Sequence, residues 1–78
     1  MSNLESYKKI FSETLSVGYD KLENLNYNDI PDWDSIGHMT LISNLEEKFD
    51  ISIDTDDIVD FSSFSKGKEI LKKYKIDL

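Results

Sequence analysis

Ile36, Met39, Ile42, Leu45 and Phe49 recur at steps of three and four along an otherwise polar stretch. Only a helix, turning once in about 3.6 residues, brings side chains so spaced onto one face. Leu41 widens the stripe, and the spacing predicts a helix over residues 35–49, about 22 Å long at ~1.5 Å per residue. A second stripe, Leu4, Tyr7, Ile10, Phe11 and Leu15, predicts a helix over residues 3–16. Ser2 or Asn3 suits its N-cap and Gly18 its stop.

Between these helices, residues 17–34 carry Gly, Asn, Asp and Pro and no sustained period. They read as a long ordered loop with at most a turn of helix, docked by Leu22, Leu25, Tyr27 and Ile30. A loop of this length in a small domain is unusual and often functional. After Phe49, Ile51 and Ile53 alternate with polar residues, which predicts a short extended link. Asp54 or Thr55 suits the cap of a brief acidic helix, with Asp56 and Asp57 in the first turn, where the helix dipole favours negative charge. Ser62 and Ser63 offer the next cap. A last helix follows with Phe64, Ile70, Leu71 and Tyr74 inward and Lys72, Lys73 and Lys75 near its C-terminal end.

The expected fold is therefore all-α: a small four-helix bundle, three longer helices plus a short third one, with a long loop between helices one and two. Residues 1–78 read as one domain. The expected core is Leu4, Tyr7, Phe11, Leu15, Ile42, Leu45, Phe49, Ile53, Ile58, Phe61, Ile70 and Leu71. A chain of this size buries only roughly 60–65% of its unfolded surface. That leaves no room for a deep cleft between domains and argues against autonomous catalysis.

Charge divides the chain unevenly. Residues 29–60 hold ten acids and one lysine, whereas residues 66–78 hold five lysines and two acids. The acidic segment disfavours nucleic acid as a partner and suits a basic protein surface, or else simply a solvated face. With no cysteine, disulfides and thiolate metal sites are excluded. The N-terminus lacks the apolar core of a signal peptide, and no apolar run approaches the ~20 residues that span a bilayer. The expectation is a soluble, cytoplasmic protein.

Three chemistries are open to "DWDSIGHMTLISNLEEKF". As a nucleophile, Ser35 needs a base, and the only histidine, His38, follows three residues later. The glycine-flanked elbow, the oxyanion hole and the third orienting group are not evident. His38 then reads as an exposed helical residue. A calcium loop fails on its required residues. Counted from Asp54, positions six and twelve are Val59 and Ser65; counted from Asp50 they are Thr55 and Phe61. No metal site is expected. Third, Asp34 can cap the helix while Ser35 points outward, so that another enzyme modifies Ser35. A phosphodiester there would sit beside the unpaired N–H groups of a helix N-terminus. Gly37, with no side chain, would leave space for a docked partner. The alternative is that Asp34 and Ser35 are an ordinary capping pair.

The motifs themselves resemble the acyl carrier protein family, which includes peptidyl carrier domains. Asp34-Ser35-Ile36 is similar to the attachment motif, "NLEEKFDISI" to the end of the second helix with the loop after it, and "DDIVDFSSF" to the short acidic third helix. The likeness is close over residues 32–65, and the flanking helices match in length and pattern. The resemblance implies that the chain is not an enzyme but an acyl carrier. Ser35 would bear 4′-phosphopantetheine, moved from coenzyme A by a phosphopantetheinyl transferase with Mg²⁺. Asp34 and Ile36 flank the attachment point. The thiol of the arm would carry an acyl thioester from a loading ligase or synthetase to a downstream acyltransferase or synthase. The resemblance implies docking of basic partner surfaces on Glu46, Glu47, Asp56, Asp57 and Asp60, with Trp33 and Met39 as further docking residues. No nucleic acid or membrane partner is expected, and the chain is expected to be monomeric.

This sequence departs from the family where the second helix begins. Typical bacterial fatty-acid carriers have acids there; this chain has Gly37, His38 and Thr40. Trp33 replaces smaller residues and could pin the loop to the helix as a staple or touch the partner. These differences point away from housekeeping fatty-acid synthesis and toward a specialised biosynthetic pathway. An aminoacyl or peptidyl carrier is the near alternative, and an unmodified helical interaction module the more distant one. The bulk of Met39, Phe61 and Phe64 leaves little volume for a long chain between the helices.

Overall fold

The structure, a computed structural model, describes residues 2–78. Its elements are α1 (Asn3–Leu15), a 3-10 turn (Tyr19–Lys21), α2 (Ser35–Phe49), α3 (Thr55–Asp60) and α4 (Phe64–Lys73). No strand occurs among the described residues; Asn26 and Ser63 form one isolated antiparallel bridge. The fold is all-α.

Local chemistry sets most boundaries. Ser2 Oγ accepts the Glu5 N–H at 3.1 Å and starts α1. The Ser63 hydroxyl accepts the Lys66 N–H at 2.9 Å and starts α4. Asp54 is the N-cap residue of α3, without a side-chain capping bond. Gly18 does not stop α1. Ser16 does so, in the left-handed region at φ 55°, and the Ser16 and Val17 N–H groups both return to the Ser12 carbonyl. Asp50, at φ 54°, ends α2 in the same way on the Glu46 carbonyl. Glycine is the commonest residue in such C-terminal turns, but it is not required.

The core forms where α1 lies against α2. Phe11 is at its centre, with ring centroids of Tyr7 at 4.9 Å, Phe64 at 5.0 Å, Trp33 at 5.4 Å and Phe61 at 6.1 Å. Several of these pairs meet edge to face, the arrangement the aromatic quadrupole favours. Tyr7 donates its hydroxyl to the Phe64 carbonyl at 2.6 Å, so its buried polar tip is satisfied. Burial pushes the Tyr7 hydroxyl pKa far up. A side chain at Gly67 would collide with the Tyr7 hydroxyl and the Phe61 ring, so glycine lets α4 approach this closely.

Burial differs from the expected core in informative places. Leu4, Phe49 and Ile58 are only partly buried, and Val17, Leu22, Leu25, Leu41, Phe64 and Trp33 join the interior. The inward face of α2 is Leu41, Ile42 and Leu45, whereas Ile36 and Met39 are exposed. The stripe is thus rotated toward Leu41 at the N-terminal end of the helix.

The long loop is ordered by bonds to the connection between α3 and α4. Tyr27 N–H donates to the Ser62 carbonyl at 2.9 Å, and Phe64 N–H to the Leu25 carbonyl at 3.0 Å. Leu22 and Leu25 are buried, and Tyr27 and Ile30 pack partly against the core. Asn28, at φ 72°, turns the chain so that its N–H meets the Trp33 carbonyl at 3.1 Å. These bonds deliver Trp33 to the interior and Asp34 to the start of α2.

Candidate functional site

Asp34 Oδ1 accepts the Gly37 N–H at 2.8 Å, and the Asp34 carbonyl accepts the His38 N–H at 2.8 Å. This caps α2 and makes Ser35 its first residue. Ser35 is exposed. Its hydroxyl has a loose neighbour in the Tyr27 hydroxyl at 3.4 Å, beyond the ~2.5–3.0 Å of a good O–H···O bond. An anion on Ser35 would lie at the positive end of a helix of 15 residues.

Gly37 does not leave space for a partner. The carbonyl of Asp32 occupies the position a Cβ would need. Glycine here lets the loop fold over the first turn of α2.

His38 is half-buried rather than an exposed helical residue. Trp33 Nε1–H donates to His38 Nδ1 at 2.9 Å, and His38 Nε2 lies 2.8 Å from the Ile58 carbonyl. An indole nitrogen only donates and a carbonyl only accepts, so these bonds fix the neutral tautomer with its proton on Nε2. With both nitrogens engaged, His38 is not poised to activate Ser35.

Trp33 is 0% exposed, so it cannot be a docking residue. It joins the loop to the core, packing edge-on against Phe11 and Tyr27. Asp57 is likewise not free for a partner. It is buried, and its carboxylate accepts Lys73 Nζ and the Tyr74 hydroxyl, each at 2.6 Å. Lys73, and then Tyr74, hold the Asp57 carboxyl below its ordinary range, while Asp57 raises Lys73 in turn. Tyr74 also accepts the Asp54 N–H at 2.9 Å. This network ties α3 to the end of α4.

The remaining acids are divided. Glu46 is half-buried and accepts the Ile53 N–H at 2.8 Å, which braces the extended link. Glu47, Asp56 and Asp60 are exposed. Glu47 lines a groove with Ser6, Lys9 and Glu13 of α1. Beside Ser35 the surface is apolar: Ile36 is 78% exposed, Val59 75% and Met39 54%. A cleft of about 350 Å³ opens there, lined by Tyr27, Ser35, His38, Met39, Ile58, Val59, Phe61 and Ser62.

Sequence reasoning missed Tyr27, Ile58 and Val59 as neighbours of Ser35. Val59, an apolar residue off the inward pattern of an acidic helix, was the available signal. Among the described residues no three His, Cys, Asp or Glu side chains are grouped to hold a metal ion. Among the described residues no helix is long and apolar enough to cross a membrane. The chain matches no protein-family model, no curated protein and no solved structure.

Proposed function

We propose that the chain is an acyl carrier whose Ser35 accepts 4′-phosphopantetheine from coenzyme A. The observation that carries this reading is an exposed, loosely bonded Ser35 hydroxyl at the first position of a capped helix, on the rim of an apolar cleft. These features fit the group: a free hydroxyl to bond phosphorus, a helix N-terminus for the phosphodiester, and apolar surface beside it. The Ser35 oxygen would bond to phosphorus as the pyrophosphate link of coenzyme A breaks. Adenosine 3′,5′-bisphosphate leaves, and the serine proton passes to the transferase. The arm supplies a thiol that holds an acyl group as a thioester; the chain itself presents, orients and docks.

On this reading the four helices form a carrier-type bundle, and the protein works as a cytoplasmic monomer. Its partners are a phosphopantetheinyl transferase, a loading ligase or synthetase, and a downstream acyltransferase or synthase in a specialised pathway. Glu47, Asp56 and Asp60 remain as acidic docking residues, with Glu46 partly available and Met39 beside Ser35. The apolar surface of Ile36, Met39 and Val59 at the attachment end favours an aminoacyl or peptidyl carrier as the second reading.

The test is incubation with coenzyme A, Mg²⁺ and a broad-specificity transferase, followed by intact mass measurement. One phosphopantetheine is expected on the native chain and none on Ser35→Ala. An unmodified native chain leaves only the interaction-module reading. A modified Ser35→Ala variant moves the site elsewhere.

A further inference from the structure

The cleft beside Ser35 has a floor of half-buried or buried groups: His38, Ile58 and Phe61. His38 is the closing piece. Its ring lies between the cleft, which it lines, and the fully buried Trp33, with which it stacks at 6.2 Å and 24°. Phe61 meets it edge-on at 6.0 Å and Tyr27 at 5.4 Å. The two hydrogen bonds of His38 then join three parts of the chain: the loop through Trp33, α2 through its own backbone, and α3 through the Ile58 carbonyl. Behind this layer the aromatic centre is packed, with Phe11 against both Trp33 and Phe61.

Helix α3 has only six residues, yet it is held on two sides. His38 holds it from α2 through Ile58, and Lys73 and Tyr74 hold it from α4 through Asp57. For a chain starting at Ser35 to enter between α2 and α3, α3 would have to leave the His38 ring. That would cost the bond between His38 Nε2 and the Ile58 carbonyl and uncover the Trp33 ring packed behind His38, which is unfavourable.

We propose, resting on the carrier reading of Ser35, that the Trp33–His38–Ile58 relay closes the protein interior to cargo. Cargo on the Ser35 arm stays in the outer cleft and is a short acyl or aminoacyl group. The cleft is about 350 Å³ and open to solvent on one side. Such a volume lies at the low end for small-ligand sites, so methylenes of a long chain would be left in water and gain nothing from burial, whereas a short group fits the cleft. His38 is thus a specificity determinant that touches no reacting atom.

The experiment installs acetyl, octanoyl and dodecanoyl arms on Ser35 from the acyl-coenzyme A thioesters and follows loss of the acyl group to hydroxylamine. Entry into the interior would protect the thioester in proportion to the sequestered population. All three arms on the native chain are expected to react within about twofold of the matching free acyl-pantetheine. In His38→Ala, shown folded by circular dichroism, the dodecanoyl arm should gain about fivefold or more protection. His38→Gln, which can restore one acceptor and one donor, should return it to native behaviour. Trp33→Phe tests the same link from its other end if His38→Ala fails to fold.

Protection of about tenfold for the dodecanoyl arm on the native chain would overturn the proposal. So would a folded His38→Ala whose long arms remain as labile as before. Intact mass reports attachment separately, so absence of any arm removes the carrier reading and not the seal. The seal is then read by adding dodecanoyl-pantetheine in trans and following the Trp33 indole N–H resonance. An unmoved resonance supports the closed interior, and a saturable shift in the native chain overturns it.

Discussion

The carbonyl oxygen of Asp32 lies against the α-carbon of Gly37, where any other residue would place its Cβ. Helix propensity alone favours Gly37→Ala, by up to about 1 kcal/mol. Here the collision is with backbone, which cannot rotate away. Gly37→Ala should therefore lose about 1–3 kcal/mol of stability, the usual range for overpacking. Urea denaturation of the two chains measures the sign, and a stabilised alanine variant would refute the contact.

Trp33→Phe keeps an aromatic ring in the core but removes the indole N–H that donates to His38 Nδ1. The variant leaves a half-buried acceptor unpaired and a small void. A loss of about 1–3 kcal/mol is expected. A second readout separates the bond from the void: the His38 ring nitrogens should lose the fixed Nε2–H tautomer in ¹⁵N spectra. A tautomer unchanged from the native chain would mean that Ile58 alone holds the ring.

Asp57 makes stability depend on pH in a stated direction. Its carboxyl is held below its ordinary range in the folded protein, first by Lys73 and then by Tyr74. A depressed folded value means that the stabilisation is fully present above the unfolded pKa of about 3.9 and is lost as pH falls through the folded value. The native chain should be more stable than Asp57→Asn at neutral pH, with a constant difference down to about pH 5. Below that the difference should shrink. Thermal melts of both chains from neutral to strongly acidic pH measure it, and a gap that persists at the acidic end would assign the effect to packing instead.

Glu47, Asp56 and Asp60 are exposed and free to meet a basic partner. If they guide association, the rate of Ser35 modification should fall as salt rises past 0.1 M, where the screening length is about 10 Å. The triple charge-neutral variant should be slower at low salt and insensitive to it. Equal salt dependence in both chains would remove these residues from docking.

What was legible in the sequence is what depends on near neighbours along the chain. The bounds of α2, its Asp34 cap and the outward Ser35 follow from groups three residues apart and from one apolar period. The Ser2 and Ser63 caps are of the same kind. A stripe also places a helix without stating which flank turns inward: Ile36 and Met39 share the period of Ile42 and Leu45 but stand in solvent, while Leu41 is buried. Trp33, His38, Gly37 and Asp57 were decided by tertiary structure. Trp33 and His38 bond each other, and the further partners are the Ile58 carbonyl for His38, the Asp32 carbonyl against Gly37, and Lys73 and Tyr74 for Asp57. An aspartate in an acidic helix has the same local chemistry whether it faces water or a lysine sixteen residues later. Only the folding of α4 onto α3, driven by burial of the aromatic centre, brings the two together and selects between those outcomes.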